Sequence, residues 1–130
     1  LAELKERLGM AVLLITHAMG VVAEVAQRVV VMYAGQVVEE GSVEEVFERP
    51  WHPYTQGLIR SIPRIGADTA RGARLASIPG TVPSLVEPAP GCRFAPRCAY
   101  AHAACTLATP ALRAVGPGHR VACVLEAAPT

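Results

Sequence analysis

RVVVMYAGQVVEEGSVEEVFERP, residues 28–50, carries strand, turn and helix signals in immediate succession. RVVVMYA (28–34) and QVVEEG (36–41) are apolar runs joined by a tight link that contains Gly35, a pattern that predicts a β-hairpin. Ser42 with Glu45 three residues later matches a capping box, and Pro50 stops the helix that the box starts. This stretch therefore predicts a hairpin followed directly by a short helix.

Before the hairpin, the sequence predicts a helix, a strand and a second helix. Leucines at helical spacing in residues 1–8, followed by Gly9, indicate the first helix and its end. The run MAVLLI (10–15) is continuously apolar and too short for a core helix, which suits a parallel strand buried on both faces. Residues 18–27 indicate a helix whose apolar face is formed by Met19, Val22 and Ala26.

After the hairpin, HPYTQGLIRSIP (52–63) predicts another helix, with Pro53 at its first position. The order helix, strand, helix, hairpin, two helices is that of the closing portion of an α/β domain. Two interpretations are open for the segment Trp51, His52, Pro53 and Tyr54. The segment forms a binding platform, or, as we favour, the prolines turn the chain between helices while Trp51 and Tyr54 cover the edge of the core.

From Pro63 onward the composition changes. Nine of the 11 prolines lie at or after this residue, and the helical and strand periodicity disappears. RIGADTARGAR (64–74) is typical of a flexible linker, and SIPGTVPSLVEPAPG (77–91) of extended chain with turns. Such a tail is expected to be irregular and to need a staple, because it cannot hold a core by itself.

Composition excludes several classes of function. With a net charge of +1 in 130 residues there is no general electrostatic basis for binding nucleic acid or an anionic membrane. No apolar run approaches the length of a membrane span, and no signal-peptide pattern opens the chain. Because the chain starts with Leu1 inside a helical pattern and without an initiator Met, we expect a piece of a longer protein.

All four cysteines lie close together in the tail, at Cys92, Cys98, Cys105 and Cys123. Four thiolates can bind a zinc ion or a [4Fe-4S] cluster. Short CxxC pairs, the usual mark of structural zinc, are missing, and the wider spacing suits a larger cluster; a cluster, a zinc ion, and free thiols or disulfides all stay open at this point. His102 and His119 are expected to be bystanders.

Three arginines flank these cysteines in the sequence, and two interpretations are open for them. They offset the negative charge of a thiolate-ligated cluster, or they are ordinary solvated surface charges. The residues are Arg93, Arg97 and Arg120.

Four segments together resemble the C-terminal part of the ATP-binding subunit of oligopeptide and dipeptide ABC importers. They are LLITH (13–17), the hairpin at 28–41, VFERPWHPYTQGLIRSIP (46–63) and the cysteine tail from PGCRFAPRCAYA (90–101) onward. The resemblance covers essentially the whole chain. The HPYT segment and the cysteines are specific to the peptide/nickel-type subgroup, while the histidine strand is general to ABC ATPases.

The resemblance implies a role for His17 as the switch histidine, carried on a strand end beneath the γ-phosphate of ATP, with Thr16 beside it in the nucleotide site. An imidazole there can hydrogen-bond a phosphate oxygen and help to hold the attacking water. In the family an Asp usually follows this histidine, whereas here Ala18 does, which affects the ordering of the loop. The resemblance also implies a [4Fe-4S] cluster in the tail.

For the intact parent, the resemblance implies ATP with Mg²⁺, a second ABC ATPase subunit, transmembrane permease subunits and a place on the cytoplasmic face of the bacterial membrane. The Walker A loop GxxxxGK[ST], the LSGGQ signature and the acidic Walker B strand are missing from the sequence, and in the family they lie upstream of residue 1. We therefore expect this chain alone neither to bind ATP tightly nor to hydrolyse it.

This interpretation divides the chain into the closing portion of the ATPase domain (1–49), the HPYT helix with its linker (50–78) and a cysteine-containing metal or cluster module (79–130). An alternative of a different class is a non-enzymatic, metal-stapled module that binds a protein partner through residues 42–62 and the tail. Upstream sequence discriminates the two, because only the first requires a Walker A loop in the same gene product.

Overall fold

The computed structural model describes residues 7–62, 77–88 and 90–129, and within them the chain is built around one four-stranded antiparallel sheet. The α/β class is confirmed. The predicted helix at residues 1–8 lies largely, and the predicted linker at 64–74 entirely, outside these residues. The elements are α1 (Met19–Val25), β1 (Arg28–Tyr33), β2 (Gln36–Ser42), α2 (Val43–Glu48), α3 (Pro53–Arg60), a 3₁₀ turn (Ala95–Arg97), α4 (Ala104–Leu107), β3 (Arg113–Gly116) and β4 (His119–Val121).

The predicted hairpin is confirmed as β1 and β2, which pair antiparallel. Ala34 and Gly35 between them have φ of +48° and +79°, the two left-handed residues that a type I′ turn requires. One face of β1 is buried, through Val29, Val31 and Tyr33. The hairpin thus supplies one wall of the core.

The predicted helix signals after the hairpin are also confirmed. The Ser42 Oγ accepts a hydrogen bond of 3.1 Å from the Glu45 N–H, which caps α2. Pro53 opens α3, and the ring of His52 caps it by accepting a hydrogen bond of 3.0 Å from the Tyr54 N–H. Local sequence therefore determines where both helices begin.

The predicted strand at residues 10–15 is wrong. These residues form no strand in the structure and are exposed, Leu13 by 88% and Ile15 by 89%. A strand is stable only beside a neighbour that takes up its backbone hydrogen bonds, and no strand in the described part of the chain lies beside this run. The helix after it is confirmed as α1, in which Met19 and Val22, with Ala26 just beyond, form the half-buried face.

The tail, which was expected to be irregular, is so only in part, because β3 and β4 form a hairpin that joins the sheet. The strand order is β1-β2-β4-β3. Strand β4 of the tail therefore pairs with β2 of the first hairpin. Of the tail, residues 77–88 do lack helix and strand. The tail is thus anchored by backbone pairing to the first hairpin, which sequence periodicity could not indicate for such short strands.

An aromatic cluster lies where the tail meets the hairpin and α3. The ring of Phe94 is 3% exposed and packs edge-on against Tyr33, with centroids 5.1 Å apart, and against Tyr54 at 5.4 Å. Tyr33 and Tyr54 contact each other at 4.7 Å. The expectation that Tyr54 covers the core is confirmed, and the tail contributes its own residue to that core.

None of the helices in the described part of the chain is long and apolar enough to cross a membrane.

Candidate cysteine site

The four cysteines of the tail line one apolar cavity, although they come from four different places in the fold. Cys92 precedes the 3₁₀ turn, Cys98 follows it, Cys105 lies in α4 and Cys123 comes just after β4. Cys105 and Cys123 are buried, and the other two are half-buried. None of the four forms a disulfide in the structure. The structure therefore brings together the whole set that the sequence singled out.

A close backbone approach holds the first and third cysteines in place. The Cys92 N–H donates a hydrogen bond of 2.7 Å to the Cys105 carbonyl. Gly91, with φ of +91°, makes this possible, because a Cβ there would lie 2.4 Å from the Cys105 carbonyl oxygen. A glycine at residue 91 is therefore needed for the geometry of the site.

Burial and mutual proximity shape the chemistry of the thiols. Burial raises the pKa of Cys92, Cys98 and Cys123 above the ordinary value, and the neighbouring thiols raise each pKa further. In the part of the chain that the structure describes, no three His, Cys, Asp or Glu side chains form a group that could hold a metal ion. The four cysteines share one cavity without forming such a group.

His52 lines the same cavity, a position that the sequence did not predict, because there it was only one member of a candidate binding platform. Its side chain is 1% exposed, and its ring lies 5.8 Å from that of Phe94. The Nδ1 accepts the hydrogen bond from Tyr54, whereas the Nε2 has no partner. Burial lowers the pKa of His52 to about 4, so the ring is neutral at neutral pH with its proton on Nε2.

The loop that carries His52 is held by a buried carboxylate on β2. Glu39 is 0% exposed and accepts hydrogen bonds from the backbone N–H groups of Trp51 and His52, at 2.7 and 2.8 Å. The Nε2 of His119 on β4 lies 2.7 Å from the same carboxylate, and its Nδ1 lies 3.2 Å from Glu45. This network ties the sheet to α2 and to the start of α3.

The three arginines near the cysteines have structural partners. Arg93 donates to the carbonyl of Ala34 in the hairpin turn. Arg97 donates to the carbonyls of Ile78 and Pro79 at 2.7 and 2.8 Å. Arg120 forms an exposed pair with Glu40 on β2. These contacts join distant parts of the chain, and of the three arginines Arg120, with a side chain that is 52% exposed, agrees with a solvated surface charge.

The other candidate residues lie apart from this cavity. Thr16 and His17 are exposed; the Thr16 hydroxyl accepts a hydrogen bond of 3.0 Å from the Ala18 N–H, and the His17 side chain makes no hydrogen bond or ion pair with any described residue. Neither His102 nor His119 is among the residues that line the cavity. The structure brings the four cysteines together and leaves His17 outside the group.

Comparison with known proteins identifies the family. The family described as "Oligopeptide/dipeptide transporter, C-terminal region" matches residues 38–105, which include the HPYT helix and three of the cysteines. A protein of Brucella ovis, named as a peptide import ATP-binding protein, is 53% identical over 125 residues, covering 94% of this chain and 37% of its own length.

Two further relatives agree with that match. A protein of Sinorhizobium fredii, named as a peptide ABC transporter ATP-binding protein, is 52% identical over 125 residues, covering 95% of this chain and 36% of its own length. A peptide import ATP-binding protein of Brucella abortus is 46% identical over 116 residues, covering 89% of the chain and 34% of itself. The chain spans about a third of the length of these curated relatives. On this evidence the chain belongs to the family of oligopeptide/dipeptide transporter C-terminal regions.

Proposed function

We propose that this chain is the C-terminal part of the ATP-binding subunit of a peptide ABC importer, in which ATP hydrolysis drives uptake of oligopeptides or dipeptides. The observation that carries the proposal is the identity of 53% over 125 residues to a protein named for peptide import and ATP binding. The parent works with a second ATPase subunit and with transmembrane permease subunits, on the cytoplasmic face of the membrane.

Within this proposal, residues 1–49 belong to the ATPase domain, 50–78 form the HPYT helix and linker, and 79–130 form the cysteine module. The pairing of β2 with β4 supports close packing of the module on the domain. His17 acts as the switch histidine in the nucleotide site of the parent, with Thr16 beside it. Their exposure, on a short turn held by the Thr16 hydroxyl, leaves both side chains accessible to a nucleotide.

The change His17→Ala tests this role in the intact transporter that contains this C-terminal part. We expect the steady-state rate of ATP hydrolysis to fall by about 100-fold, the usual effect of removing one group that stabilises transition-state charge, while nucleotide binding is kept. A matched control is His102→Ala, which removes an exposed histidine outside the proposed site. A His17→Ala transporter that hydrolyses ATP at the rate of the control would exclude the switch role.

We also propose that Cys92, Cys98, Cys105 and Cys123 hold a [4Fe-4S] cluster. Two observations of the residues themselves support this group: all four cysteines line one cavity, and His52, which lines the same cavity, carries a buried nitrogen without a partner. One thiolate per iron is the usual ligand set. When bound, the cluster supplies a covalent staple between the 3₁₀ turn, α4 and the end of β4; zinc is the alternative.

Metal content of the chain purified without oxygen tests the cluster directly. We expect about four irons per chain with broad visible absorbance, and loss of both in Cys105→Ser and Cys123→Ser. Thr106→Ser is a matched control, since it changes an exposed side chain next to Cys105 that is no candidate ligand. One zinc ion per chain and no visible absorbance would exclude the cluster and support the zinc site. A chain without metal would contradict both.

A further inference from the structure

The unpartnered Nε2 of His52 is the least expected polar atom in the site. Buried donors almost always have an acceptor, so an orphan in a native fold calls for an explanation. In the described part of the chain only two buried side-chain polar atoms lack a partner, the His52 Nε2 and the Thr55 hydroxyl. Of these two residues, only His52 lines the cavity of the four cysteines.

The ring of His52 is held in one orientation. Its Nδ1 accepts the hydrogen bond that caps α3, and its backbone N–H is bound to Glu39. Turning the ring over would place a carbon atom against the Tyr54 N–H and uncap the helix. The Nε2–H is therefore a fixed, neutral donor on the opposite edge of the ring.

The acceptor that this donor lacks fits the group proposed for the cavity. Thiolate and sulfide sulfurs of a cysteine-ligated cluster accept hydrogen bonds, and such bonds tune its reduction potential. Building on the proposed cluster, we propose that the Nε2–H of His52 donates a hydrogen bond to one of its sulfur atoms. His52 is then a positioning residue that couples the start of α3 to the cysteine module.

This role has an electrostatic consequence that can be measured. Reduction adds negative charge to the cluster, and a hydrogen-bond donor stabilises the more negative form. Loss of the donor is therefore expected to lower the potential. An approximately tenfold fall in the ratio of reduced to oxidised cluster at a fixed potential corresponds to about 59 mV for a one-electron couple.

The test uses the iron-containing 130-residue chain with ¹⁵N-labelled histidine, reduced and studied by electron–nuclear double resonance. We expect a weak coupling from one imidazole nitrogen and an exchangeable proton that disappears in D₂O. Both signals should be absent in His52→Asn, whose side-chain oxygen can still cap α3. The midpoint potential of that variant should fall by about 59 mV, which corresponds to a tenfold fall in the ratio of reduced to oxidised cluster.

Two further variants separate the hydrogen bond from general effects on structure. Thr55→Val removes the other orphaned polar group, away from the cavity, and should leave the potential and the couplings unchanged. His52→Gln offers an amide N–H at a similar reach. Its midpoint potential should therefore lie between that of the unsubstituted chain and that of His52→Asn. A drop in potential for Thr55→Val equal to that of His52→Asn would overturn the proposal.

The unsubstituted chain alone can also overturn the inference, so the test does not depend on folding of the variants. Four irons with no histidine coupling would exclude the hydrogen bond and leave the cluster standing. A strong nitrogen coupling, typical of direct ligation, would make His52 a ligand and likewise overturn the proposal. A chain without iron would overturn the cluster itself, and the inference with it.

Discussion

Replacing Glu39 by alanine is expected to lower the free energy of unfolding by about 3–5 kcal/mol, the largest loss that we predict for a single side chain. The carboxylate is fully buried and is the acceptor for the N–H groups of Trp51 and His52, with the His119 ring nitrogen also in contact. Alanine leaves these buried donors without an acceptor and opens a space between β2 and the start of α3. Urea denaturation at constant m-value measures the loss.

Glu40 offers a matched control one residue away. Its carboxylate pairs with Arg28 and Arg120, whose side chains are 61% and 52% exposed. The Glu40 side chain is 13% exposed, but both arginine partners lie in solvent, which weakens the pairs, so Glu40→Ala should cost clearly less than Glu39→Ala. Glu39→Gln keeps one acceptor oxygen and should fall between the two. Equal losses for Glu39→Ala and Glu40→Ala would show that the buried network does not stabilise the fold.

Gly91→Ala is the second change with a large expected effect, about 3 kcal/mol or more. The positive φ of +91° costs about 1–2 kcal/mol for a residue with a side chain. The new Cβ would also lie 2.4 Å from the Cys105 carbonyl oxygen and 2.7 Å from the Thr106 Cα, which are backbone atoms that cannot turn aside. Moving the backbone at Cys105 and Thr106 away from the new Cβ lowers the stability by about 1–3 kcal/mol more. It also breaks the hydrogen bond from the Cys92 N–H to the Cys105 carbonyl.

Gly118→Ala isolates the conformational part of this effect. Gly118 also has a positive φ, +71°, but the nearest atom to a Cβ there is the Arg28 guanidinium at 3.8 Å. The control should therefore be destabilised only by the strained backbone conformation, by about 1–2 kcal/mol, and should keep the iron of the proposed cluster. Gly91→Ala should in addition retain less iron per chain, as metal analysis measures. Equal stability and equal iron in both variants would contradict a required close approach at Gly91.

Local signals in the sequence were sufficient for the hairpin, the capped helix α2 and the start of α3. Each depends on residues a few positions apart: a two-residue turn at Ala34 and Gly35, the Ser42 cap, and Pro53 at a first helical position. Such interactions form within one turn of chain, so their chemistry can be read without knowing the rest of the fold. The four cysteines were identified in the same way, by residue type and clustering.

Burial and pairing over long distances in the sequence were decided only by the tertiary structure. The run at 10–15 looked like a buried strand, but it lacks a neighbour in the structure and stays exposed. Periodicity could not show that β4 would pair with β2, because a three-residue strand carries too little pattern.

The candidate site depends partly on residues that the sequence identifies and partly on contacts that only the fold creates. By itself, the sequence determined the family resemblance, the hairpin and its capped helices, and the set of cysteines. Only the fold made Glu39 a buried acceptor, aligned His119 with it, and placed His52 at the cavity of the cysteines with an unpartnered nitrogen. The physical reason is that burial and hydrogen-bond partners depend on which distant segments pack together, and a polar residue in a short motif carries no mark of that environment.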